Sequence, residues 1–158
     1  MTRPRKADGY PAGSLITGEM ESVDYFDSYV IESKTDEPVD QIVKRMFALP
    51  SWVRFLLRLR YFLIAKPFGL RTGTLKERTD GSDFVRMTVI HRNENEIVMG
   101  DDDKHLYYRL SVMKRHTKPL TEIALTTVVR FHNNWGRIYF AFIRPFHKII
   151  VKSILRRM

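Results

Sequence analysis

Cysteine is missing from all 158 residues, so disulfide bridges, thiolate zinc sites and cysteine nucleophiles are excluded together. Long apolar runs are missing too: stretches such as 61–65 fall far short of the roughly 20 residues that a bilayer-crossing helix needs. Residues 1–18 carry Arg3, Arg5 and Lys6, then Asp8, Gly9, Pro11 and Gly13, with no apolar segment behind the charges. That is the pattern of a loose arm rather than a secretory signal, and a cytoplasmic setting is expected. No glycine-rich phosphate loop, serine elbow or dinucleotide fingerprint occurs, and no cofactor or metal is expected.

Acidic residues are scarce in one place only. Residues 1–103 hold 15 basic and 17 acidic side chains, whereas residues 104–158 hold 12 basic and a single acid, Glu122. The whole excess of the +9 net charge therefore lies in the last third. A cationic face of this kind attracts anions at long range, and its plainest reading is a solvated surface. The size suits one domain with an adequate core. We read residues 1–20 as a flexible N-terminal arm and 21–158 as a single domain.

Residues 23–32 alternate as a first strand. Thr35-Asp36-Glu37-Pro38 then opens a helix whose apolar set is Val39, Ile42, Val43, Met46 and Phe47. Pro50-Ser51 starts a second helix, with Trp52, Phe55, Leu56, Leu59, Phe62 and Leu63 as its stripe, closed by Pro67-Phe68-Gly69. Beyond Leu70 the period changes to two. Turn signals at Asp80-Gly81, Asn93-Glu94-Asn95, Gly100 to Asp103 and Thr117-Lys118-Pro119 divide the middle into a meander of about five antiparallel strands. Leu106, Tyr108, Leu110 and Val112, then Ile123, Leu125, Thr127, Val129 and Phe131, define one apolar face. The alternate face, with His105, Tyr107, Arg109, Ser111, Thr126, Arg130 and His132, reads as wet.

The closing segment reads as a helix from Arg137, with Tyr139, Phe142, Ile143, Phe146, Ile149, Ile150 and Ile154 on one broad side. Arg137, Arg144, Lys148, Lys152 and, further on, Arg156 make its basic side. Pro145 should kink or restart it. The fold class is therefore α+β in a helix-grip layout: a curved antiparallel sheet of about six strands, two short helices after the first, and a long C-terminal helix on the concave face.

Several separated motifs carry a resemblance. Leu49-Pro50-Ser51-Trp52-Val53 with Leu59-Arg60 and Phe68-Gly69-Leu70, Gly100 to Leu106, His132-Asn133 with Gly136-Arg137, and Pro145-Phe146-His147 resemble an uncharacterised bacterial family known only as a domain of unknown function. That family is grouped with the START-like, birch-pollen-allergen-like superfamily, and the likeness spans about residues 25–157. The resemblance implies an apolar cavity and ligands such as lipids, sterols, polyketides or hormones. It implies no catalytic residue.

The expected function is binding of a small, largely apolar or lipid-like molecule between sheet and closing helix. Candidate lining residues on the strands are Tyr29, Met87, Val89, His91, Tyr108, Leu110, Leu125, Thr127 and Val129, and on the helix Phe142, Phe146 and Ile150. Val85, Met87, Val89 and His91 share one strand parity, which would carry the imidazole to the cavity edge. Tyr29, Tyr108 and Thr127 offer polar points on a greasy wall. An enzyme of cyclase, dehydratase or hydrolase type, using His91 or a buried tyrosine, is the alternative; it requires an ionisable group inside the cavity. A third reading is attachment to an anionic membrane through Arg137, Arg144, Lys148, Lys152 and Arg156. Nucleic acid is disfavoured, since no base-reading helix or stacking platform is present. Asp101 to Asp103 lack the spacing of a calcium loop, and His105 and His132 lack helical ligand spacing.

Overall fold

The structure is a computed structural model, and it describes residues 3–48, 50–60 and 87–158, with only the backbone at 56, 57 and 60. The expected Asp80-Gly81 hairpin, the Pro67-Phe68-Gly69 stop, Val85 and the side chain of Leu56 lie outside the described residues. The elements in chain order are β1 (Arg5–Lys6), β2 (Tyr25–Ser33), α1 (Val39–Met46), α2 (Ser51–Arg60), β3 (Thr88–Arg92), β4 (Glu96–Asp102), β5 (Leu106–Thr117), β6 (Leu120–Phe131) and α3 (Asn134–Leu155). The strands form one open sheet in the order β1-β2-β6-β5-β4-β3, every described pair antiparallel. Among the described residues no helix is long and apolar enough to cross a membrane.

Parity decides what each strand faces. Tyr29 and Ile31 of β2, Ile123 and Leu125 of β6, Leu110 and Val112 of β5 and Ile97 and Met99 of β4 all enter one core. Val39, Ile42, Val43 and Met46 of α1, Val53 of α2, and Val151, Ile154 and Leu155 of α3 complete it. A second cluster joins Leu106, Val129, Tyr139 and Phe140 at the other end of α3. Helix α3 thus lies over β2 and β6, while α1 lies over β5 and β4. Pro38 caps α1 by its extended backbone, with Asp40 at the positive end of the helix dipole and Lys44 and Arg45 at the negative end.

The reverse face is wet only at its end, where Arg130 and His132 are exposed; the rest is covered. The stretch read as an arm forms β1 on the edge of β2, bends at Gly13 and Gly18 with φ of 75° and 88°, and crosses the back of the sheet. Ile16, only 1% exposed, packs there on Val98 and Val128. Two carboxylates hold this crossing. Glu96 accepts the hydroxyls of Ser14 and Ser111, each at 2.5 Å, and the Leu15 amide at 2.7 Å. Glu19 reaches His91 at 2.6 Å and Arg109 at 3.7 Å. Ser111, Thr126, His105 and Arg109, assigned to the solvated side by alternation alone, are therefore buried. Glu96→Ala leaves three donors without their acceptor. Limited proteolysis should then cut the chain within residues 9–20 at least tenfold faster than in wild type, a consequence of local opening.

A bulge on β3 overturns a further expectation. Val89 pairs with Met99, but His91 pairs with Val98, so the register slips one residue at Ile90. Everything beyond the slip changes face. Met87 packs on the helix-side core, Val89 is 53% exposed, and His91 faces the N-terminal segment and meets Glu19. His91 is therefore on the opposite side of the sheet from the core it was expected to border.

Candidate functional site

Two of the motifs that carried the resemblance, Gly100 to Leu106 and His132-Asn133 with Gly136-Arg137, meet at the start of α3. Asn133 is the N-cap: its Oδ1 accepts the Gly136 amide at 3.0 Å and His105 Nδ1–H at 3.1 Å. Its amide nitrogen donates to the Lys104 carbonyl at 3.4 Å. The His132 amide bonds the His105 carbonyl at 3.0 Å, and a Cβ on Gly136 would fall inside contact distance of that same carbonyl oxygen. Gly100, expected in a turn, lies within β4 opposite Arg109, where a Cβ would strike the Tyr108 carbonyl. These residues join strand to helix.

The neighbouring aspartates diverge. Asp101 accepts Thr88 Oγ1 at 2.8 Å, Asp102 lies 2.6 Å from His132 Nε2, and Asp103 caps the Lys104 amide. No group of three or more metal-ligating acids and histidines exists among the described residues. His105 and His132 do not share a site.

Helix α3 runs unbroken through Pro145, whose missing N–H falls on the exposed side. Its rotation differs from the expected one by about a quarter turn. Gly136, Tyr139, Phe140, Val151, Ile154 and Leu155 are buried, with Ile143 and Ile150 at the margin. Phe142, Phe146 and Ile149, expected against the sheet, point outward, and Phe142 is 64% exposed. With Trp135 and Ile138 they form one row at spacings of three and four residues. The basic residues occupy the flank towards β2, where Arg144 sits 5.3 Å from the Tyr25 ring and Lys152 5.4 Å from that of Tyr29. Arg137 stands 5.6 Å from the Phe131 ring and pairs with Asp24 at 3.3 Å. The exposed apolar row is on the other flank, towards β5, where Leu106 and Tyr108 meet Tyr139 and Ile143. Tyr108, Leu110, Met99, Met87 and the exposed Val89 share the helix side of the sheet. On α2, Trp52, Phe55 and Leu59 are exposed as well, whereas Val53 turns inward.

Beneath the basic flank lies a polar cluster that alternation did not reveal. Asp27, 1% exposed, occupies the inward parity of β2 between Tyr25 and Tyr29, across from Thr127 of β6. Its carboxylate accepts the Tyr25 hydroxyl at 2.5 Å and pairs with His147 Nε2 at 3.2 Å. Burial pushes the Asp27 carboxyl up, but the hydrogen bond and charge of His147, then the Tyr25 bond, overcome it and hold the group below its ordinary 3.8. Burial, then the bond and charge of Asp27, raises the Tyr25 phenol well above 10.0, and burial with the same charge raises Tyr29. The sequence signal was an acid at an inward strand position; its partner stands 120 residues away. Of the expected site residues, Tyr29, Leu110, Leu125, Thr127 and Val129 are buried beneath the helices, while Tyr108 is only partly covered.

An open antiparallel sheet with helices on one face and an N-terminal segment on the other defines an α+β protein. Over residues 20–154 the chain matches the family described as "Protein of unknown function (DUF2867)", and it belongs to that family. No curated protein and no solved structure matches it.

Proposed function

We propose that this protein binds a largely apolar, lipid-like molecule along the outward flank of α3, on its β5 side. The observation that carries the reading is the row Trp135, Ile138, Phe142, Phe146 and Ile149, all exposed on one side of a single helix. Contiguous apolar rows of this kind mark binding surfaces in soluble chains. The helix-grip description and a START-like relationship belong to this proposal; the order strand, two helices, meander and long closing helix supports them. The site is beside α3 rather than under it, because the space beneath is filled by Val151, Ile154, Leu155 and their partners.

Covering two half-exposed phenylalanines is worth about 3 kcal/mol, roughly a hundredfold in affinity. Titration with a fluorescent monoacylglycerol, uncharged and kept monomeric, tests this. Wild type should bind saturably, and the double variant Phe142→Ser, Phe146→Ser should bind about a hundredfold more weakly with an unchanged melting temperature. Equal binding by the two proteins, or none by wild type, would refute the reading.

A further inference from the structure

The flank bearing the apolar row is bordered by cations, and that pairing narrows the partner. Along its 22 residues α3 carries no aspartate or glutamate. Arg144, Lys148 and Lys152 follow one another at spacings of four on the side towards β2, and Arg156 continues past the helix end. None of these four forms an ion pair with a carboxylate among the described residues. Viewed down the axis at 100° per residue, the cations centre about 120° from the apolar row. The third sector, facing the sheet, holds the helix in place.

We infer that α3 docks the protein on an anionic phospholipid bilayer, lying in the interface with Ile138, Phe142, Phe146 and Ile149 at the acyl boundary and Arg144, Lys148 and Lys152 at headgroup depth. This rests on the lipid-binding reading and names the surface from which the lipid is met. The helix is about 33 Å long and presents both rows over most of that length, so it can lie flat. Interfacial helices have this composition: aromatic and aliphatic side chains on the membrane side, with lysine and arginine beside them. Charge complementarity selects the occupant. A neutral protein groove would leave the cations unused, and a nucleic-acid backbone would leave the apolar row in water.

Co-sedimentation with phosphatidylcholine vesicles, alone or with about a third phosphatidylglycerol, tests the inference in low and high salt. Wild type should pellet with the anionic vesicles at low salt, lose at least tenfold in partitioning at high salt, and stay in solution with neutral vesicles. The charge reversal Lys148→Glu, Lys152→Glu should lower partitioning at least ~30-fold. The same variant should bind the uncharged monoacylglycerol within about twofold of wild type, which separates docking from ligand capture. Monoacylglycerol binding without vesicle binding would overturn the docking inference and leave the function proposed above intact; failure of both would remove both. Equal partitioning to neutral and anionic vesicles, or indifference to charge reversal, would overturn it. So would equally tight, salt-sensitive binding to duplex DNA, which would make the surface a general polyanion site.

Discussion

Gly136→Ala is expected to lower stability by about 3 kcal/mol, although alanine is the best helix former and glycine nearly the worst. Propensity alone favours the variant by roughly 1 kcal/mol. Packing opposes it, since the new methyl would overlap the His105 carbonyl oxygen, a backbone atom already bonded to the His132 amide. A backbone atom cannot swing aside as a flexible side chain can. The first turn of α3 must lift from the β4–β5 turn, which strains the Asn133 cap and its bond from His105. Overpacking of this kind costs about 1–3 kcal/mol and more where the obstacle is rigid. For a chain of this size the loss corresponds to a melting temperature lower by roughly 10 °C. A melting temperature equal to wild type would mean that the helix and the turn are not in this contact.

Asp27→Ala should cost a similar amount, about 3 kcal/mol by urea unfolding, because it leaves the Tyr25 hydroxyl and the His147 N–H without their shared acceptor in a buried setting. Asp27→Asn keeps an acceptor and should cost less than half of that. The pH dependence carries the sign of the shift. Asp27 titrates below its ordinary 3.8 in the folded protein, so its contribution is complete above that value and is lost as pH falls through the folded pKa. Tyr25 is shifted the other way, so its contribution is complete below 10.0 and is lost as pH rises beyond. The gap between wild type and Asp27→Asn should therefore shrink as pH falls below the ordinary 3.8 and through the folded pKa. A gap that widens in acid would show that the carboxylate is not ionised in the folded state.

Much of the layout was readable because single residues punctuate it. Pro38 and Pro50-Ser51 mark the two helix starts, Asn93 to Asn95 and Thr117 to Pro119 mark turns, and alternation along 106–112 and 123–131 gives the faces correctly. The errors on α3 and β3 share one cause: alternation and helical period report relative phase, and something non-local sets the absolute phase. On α3 apolar side chains fill two of three sectors, so the period does not distinguish Phe142 from Phe140 as the buried ring. Contact with Tyr25 and Phe131 decides it. At β3 a one-residue bulge sends His91 to the other side, and no composition signal announces it. The N-terminal segment looked unattached because its anchor, Glu96, lies 82 residues beyond Ser14 and 81 beyond Leu15. Asp27 was legible as an oddity, an acid between two inward tyrosines, but its meaning depended on His147.

Strand β6 is a party wall. Ile123, Leu125, Thr127 and Val129 belong to the room that the helices close, while Ala124, Thr126 and Val128 belong to the one behind. Neighbours in sequence thus have different tenants. A spectroscopic label at residue 128 would sense the passage of Ile16, and one at 127, a single peptide bond away, would sense Asp27 on the other side.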